Sequence, residues 1–212
     1  MLPAANFWGF VAAALVLIVI PGPSVLFSVG RALALGRVGG VVSVVGNTLG
    51  LIPIIVLVAL GVGSLIVASE PVFFGLRIVG AAYLVYLGVQ SIRERRAAAA
   101  ALTADVARTS HWRQLGQGFV VGVTNPKTIA FFLAVLPQFV APGAGSPTWQ
   151  LVQLGLIFAV LALASDSVWA IAAGSARRWF ARTPRRIEHL TAIGGACIVV
   201  LGLVLGVSAF VE

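Results

Sequence analysis

The first 30 residues of this chain contain no charged side chain, and five later stretches of similar length carry at most one each. A helix needs roughly 17 to 25 mostly apolar residues to cross about 30 Å of hydrocarbon. The apolar runs lie at about 5–30, 40–67, 72–91, 114–138, 149–174 and 190–210. They predict an all-α polytopic membrane protein with six transmembrane helices, its surface in contact with a lipid bilayer. Composition argues the same way: 60% of residues are hydrophobic and 9% charged, whereas a soluble domain carries about 25% charged residues. The 24 glycines suit close helix packing in lipid.

The formal net charge is +8, which on a soluble domain would suggest a nucleic-acid partner. Here the arginines cluster in alternate connections, and topology explains them without one. Arg31 and Arg37 follow the first span. Arg93, Arg95, Arg96, Arg108 and Arg113 follow the third, and Arg177, Arg178, Arg182, Arg185 and Arg186 follow the fifth. The other connections are nearly bare. The positive-inside rule then predicts both termini outside the cytoplasm. Arg77, near the outer end of the third span, is the exception and is expected to snorkel. MLPAANFWGF lacks the basic start of a signal peptide, so this segment is expected to remain as the first span.

The whole chain, 1–212, is expected to form one transmembrane domain. Its halves, about 1–92 and 114–212, are joined by a basic cytoplasmic connection over 93–113. IVGAAYLVYLG (78–88) and AIGGACIVVLG (192–202) share small residues and a glycine pair eight apart. Proline-containing breaks occur in the first and fourth spans, as PGP at 21–23 and NPK at 125–127. Three spans per half make the repeats inverted, with broken helices one and four, an arrangement of secondary transporters that bind near the midplane.

Polar residues inside apolar spans are costly and read as functional. Lys127, the only lysine, lies 13 residues beyond the start of the fourth span, so roughly 20 Å deep. Pro126 cannot donate to the carbonyl one turn earlier, which is expected to be left free. Asp166, in ALASDSVWAI, is the carboxylate of the fifth span. It is a candidate proton site or ammonium ligand, or else a structural counter-ion of Lys127. Pro21 and Pro23 break the first span around Gly22, leaving N–H groups suited to a carboxylate and C=O groups suited to an ammonium. Asn47, in VVGNTLG, either lines a pathway or joins two helices, with Gly46 and Gly50 forming a packing face. Tyr83, Tyr86 and Gln90 are secondary cavity candidates, and Trp8, Trp112, Trp149 and Trp179 an interfacial belt.

By this topology PGP, Asn47, NPK and Asp166 all fall between the midplane and the cytoplasmic face. Such a cluster suits a small zwitterion, with Lys127 or free N–H groups on its carboxylate and Asp166 or free carbonyls on its amine. The lone cysteine, Cys197, excludes an intramolecular disulfide and is expected to be a small packing residue. His111 and His189 sit at span edges, and no metal, cofactor or enzymatic chemistry is expected.

GFVVGVTNPKTIAFFLAVLPQFV (118–140) resembles the fourth-helix signature of the LysE/RhtB superfamily of amino-acid exporters. PGPSVLFSVGRALALGRVGG (21–40), GNTLG (46–50), GAAYLVYLG (80–88) and Asp166 followed by Trp169 resemble it too. The resemblance implies a six-helix carrier of the bacterial cytoplasmic membrane that exports amino acids or close derivatives by proton antiport. It also implies functional roles for Pro21, Gly22, Pro23, Asn125, Pro126, Lys127 and Asp166. Ser24 departs from the pattern, since many relatives of the homoserine/threonine type have Asn after PGP. The shorter side chain bears on pocket size. A non-transporting scaffold and a gradient-independent channel are the rival readings, and assembly as a homo-oligomer is compatible with the sequence.

Overall fold

A computed structural model describes residues 3–19, 22–68, 70–101, 110–175 and 184–208. These residues are helical almost throughout. In chain order the helices are α1 (Ala4–Val19), α2 (Pro23–Leu49), α3 (Leu51–Ala68), α4 (Glu70–Arg93) and α5 (Arg95–Ala101). Then come α6 (His111–Val123), α7 (Pro126–Ala134), a 3-10 turn over Leu136–Phe139, α8 (Pro147–Ser175) and α9 (Pro184–Ser208). By length and hydropathy, Pro147–Ser175 is long and apolar enough to cross a membrane, and so is the stretch Pro23–Gly63, which a turn at Gly36 divides. His111–Val123 and Pro126–Phe139 qualify together as an apolar pair bent by 45°, the geometry of a broken span or a re-entrant loop. Ala4–Val19, Ile78–Arg93 and Thr191–Val207 are shorter apolar helices. Pro21, Arg77, Trp179 and the arginines from Arg177 to Arg186 have positions or side chains outside the described residues.

α2 reverses on itself. Gly36 has φ 84° and ψ 178°, a conformation from which a Cβ is sterically excluded. The arm after it returns along the arm before it. A Cβ added to Gly40 would lie 2.6 Å from that of Ala32, and Ser24 hydrogen-bonds Asn47 across the hairpin. The connection expected between residues 31 and 39 is therefore a single glycine.

Glycines then set the helix spacing. The second arm of α2 runs beside α6, with Gly46 against the Leu115 carbonyl and Gly50 against that of Phe119. Reciprocally, Gly118 meets the Ser43 carbonyl and Gly122 that of Asn47. Two small-xxx-small faces thus interlock backbone to backbone. α4 and α9 do the same: Gly88 and Gly195 each face the other's carbonyl, and Gly202 faces that of Ala81. The segments 78–88 and 192–202 are accordingly direct neighbours.

The central apolar core joins α1, α3, α4, α7, α8 and α9 and includes a group of buried phenylalanines. Phe10, Phe131 and Phe132 are fully buried. Phe131 lies 5.3 Å from Phe158 and Phe10 lies 5.6 Å from Phe139, centroid to centroid. Beside this core, Gln150 donates to the carbonyls of Ala141 and Gly145 and accepts from the Ala141 N–H, fixing the turn between the 3-10 segment and α8. Outward faces are apolar, as lipid contact requires. Trp8, Trp112 and Trp149 are exposed near helix ends, as an interfacial belt demands.

Candidate functional site

The site forms where α1 stops and α7 starts. In a continuous helix the Leu17 carbonyl would accept from residue 21, but residue 21 is proline and has no N–H. That carbonyl instead accepts a hydrogen bond from the Lys127 ammonium. The aliphatic stem of Lys127 passes directly over Gly22, where an added Cβ would lie 3.0 Å from Cδ and 3.3 Å from Nζ. Gly22 is thus the gap through which the lysine reaches the broken end of α1.

Asn125 organises the other break. Its Oδ1 accepts from the Lys127 backbone N–H at 3.1 Å, capping α7 behind Pro126. Its Nδ2 donates to Ser24 Oγ at 2.6 Å, and Ser24 Oγ donates onward to Asn47 Oδ1 at 3.0 Å. A chain of side-chain hydrogen bonds therefore joins the start of α7, the start of α2 and the second arm of α2. The glycine interlock explains the registry: Gly122, one turn before Pro126, faces the Asn47 backbone.

Pro126 does not leave a free carbonyl as the sequence predicts. The Gly122 oxygen it fails to serve accepts from the Asn125 N–H at 3.3 Å, because the chain tightens before the break. The carbonyl taken up by the lysine belongs to α1 instead.

Lys127 is 8% exposed and Asp166 4%. Both line one small cavity with Ser24, Asn47, Asn125 and Thr128. At about 30 Å³ the cavity has room for a water or two. A second cavity of about 180 Å³ meets Lys127 from the other side, between the starts of α2, α7 and α9 and the end of α4. Lys127 and Gly22 line both, so the lysine stands between them.

Among the expected site residues, Gly22, Ser24, Asn47, Asn125, Lys127 and Asp166 line the inner cavity. Pro23 and Pro126 line the outer one, and Pro21 lies outside the described residues. Gln90 reaches the outer cavity, but Tyr83 and Tyr86 do not: they stack on each other at 5.9 Å on the exposed face of α4. Cys197 is exposed rather than packed. Sequence reasoning missed Leu17, whose part is played by a carbonyl, and Thr128, one residue beyond the motif it recognised. It also missed Thr191, which no pattern around it distinguishes.

A family model described as LysE type translocator matches residues 15–209. The chain belongs to this family. As a LysE-type translocator it is a multi-pass membrane protein, and both helix breaks lie inside the matched region. It is 30% identical to an uncharacterized membrane protein of Pseudomonas aeruginosa over 203 residues, 94% of each chain. A homoserine/homoserine lactone efflux protein of Salmonella typhimurium is 32% identical over 186 residues, 87% of this chain and 88% of that one. A leucine efflux protein of an Enterobacter species is 32% identical over 138 residues, 64% of each. No solved structure matches this LysE-type chain.

Proposed function

We propose that this translocator exports amino acids or close derivatives from the bacterial cytoplasm by proton antiport. The observation that carries the reading is the buried Lys127 ammonium, held on the unserved Leu17 carbonyl beside Asp166. A cation resting on a backbone carbonyl can exchange that partner for a stronger one. The Lys127–Leu17 bond has one charged partner; a carboxylate adds the attraction between two full charges, strong where water is scarce, so a zwitterion's carboxylate would take Lys127 from Leu17. The released Leu17 carbonyl and Asp166 then suit the substrate ammonium, and Asp166 is the carboxylate we assign to the proton.

Arg93, Arg95 and Arg96 lie where α4 ends and α5 begins, and by the positive-inside rule we take this end as cytoplasmic, with both termini outside. The larger cavity would then be the path from the cytoplasm, closed beyond the site by the phenylalanines. Exporting relatives named for homoserine, its lactone and leucine support a small amino-acid substrate. The PGP and NPK breaks serve as hinges in alternating access.

The test is uptake of a panel of radiolabelled amino acids into inverted vesicles, where uptake corresponds to export. Gradient-dependent accumulation of at least one amino acid above empty vesicles is expected. Uptake that ignores the gradient would indicate a channel, and no uptake of any kind a scaffold.

A further inference from the structure

The larger cavity holds a polar group that the hydrogen-bond network does not use. Thr191, near the start of α9, is 3% exposed, and its Oγ1 has no hydrogen-bond partner among the described residues. It lines the same cavity as Lys127. Burying a hydroxyl without a partner costs roughly 1–3 kcal/mol, so a buried Thr191 calls for a partner that comes and goes. Ser91 also lines this cavity, and two further polar groups are engaged with each other: Gln90 Nε2 donates to Glu94 Oε1 at 3.1 Å, at the exposed end of α4. Leu26, Leu87 and Ile198 supply apolar wall between the mouth and Lys127.

We infer that Thr191 determines specificity by hydrogen-bonding the polar end of the substrate side chain in this cavity. The inference rests on the export reading, in which Lys127 takes the substrate carboxylate. An amino acid held there can direct its side chain along the apolar wall, and about 180 Å³ leaves space for a short one. Methylene groups then meet the leucines and isoleucine, while a terminal hydroxyl or amide meets Thr191. The favoured class is an amino acid with a short, hydrogen-bonding side chain. Rejection of the apolar isostere follows because it leaves Thr191 unpartnered.

The experiment measures kcat/KM in inverted vesicles for two isosteric pairs, L-homoserine with L-norvaline and L-threonine with L-valine. The wild type is expected to favour the hydroxyl member of at least one pair. Thr191→Val should lower that preference about three- to tenfold, the range one neutral hydrogen bond supplies. Thr191→Ser, which keeps the hydroxyl, should hold it within about twofold of wild type. Three outcomes overturn the assignment: a wild-type preference for the methyl members, an unchanged ratio in Thr191→Val, or equal loss of both members in the two variants. In each of these the wild type still transports, so the export reading stands. A wild type that moves none of the probes, nor any other amino acid, removes the export reading and the subsite together.

Discussion

The Lys127 ammonium donates to the Leu17 carbonyl, 110 residues earlier in the chain. One helix break supplies the acceptor and the other supplies the donor. Pro21 leaves the acceptor unserved, and Asn125 with Pro126 starts the helix that carries the lysine. The bond therefore ties the two discontinuities into one element, which a ligand competing for either partner would open.

Removing the ammonium should hurt transport more than it hurts folding. In Lys127→Met the Leu17 carbonyl loses its hydrogen-bond partner, and leaving a buried acceptor unsatisfied costs about 1–3 kcal/mol. Helix packing around the glycines is untouched. Transport is expected to fall below detection while detergent-solubilised protein stays monodisperse with a lowered Tm. Full transport by the variant would remove the lysine from the site.

Ser24 is the hinge of the Asn125–Ser24–Asn47 chain. Ser24→Ala breaks both bonds and strands two buried amides, costing about 1–3 kcal/mol each. A several-fold rise in KM and a drop in Tm are expected. Ser24→Asn restores polarity but adds bulk against a cavity of only about 30 Å³, so it should shift the order of preference across an amino-acid panel. An unchanged order would show that this position does not shape the pocket.

Gly46, Gly50, Gly118 and Gly122 are predicted to be structural in effect. At each, a side chain would meet backbone of the facing helix, which cannot yield as a flexible side chain can. Overpacking costs about 1–3 kcal/mol even in adaptable cores. Gly122→Leu should abolish membrane-inserted protein on a quantitative blot. Gly61→Leu, where an added Cβ meets nothing within 4 Å among the described residues, should leave levels unchanged and so serves as the control.

Much of the site was legible in the sequence because lipid makes polar residues conspicuous. Asn47, Asn125, Lys127 and Asp166 stand out in apolar runs, and each lines the inner cavity. What could not be read was pairing. Nothing local says that the carbonyl orphaned by Pro21, rather than the one below Pro126, meets the lysine. Whether that second carbonyl is served depends on how tightly the chain turns at Thr124 and Asn125. Tyr83 and Tyr86 misled because an aromatic suits a lipid face as well as a cavity, and the helical phase that decides was not marked by charge. The Gly46–Gly50 face was legible as a motif. Its partner Gly118–Gly122 became evident only when α6 was seen beside the second arm of α2.

Proton coupling through Asp166 is the central claim, and Asp166→Asn measured in two assays tests it most directly. Inverted vesicles report gradient-driven accumulation, and vesicles preloaded with unlabelled amino acid report exchange without a gradient. The account predicts that the variant loses accumulation yet keeps exchange, because binding survives while the proton has no carboxylate to ride on. Gradient-driven accumulation at the wild-type level in Asp166→Asn would contradict it and return Asp166 to the role of counter-ion for Lys127.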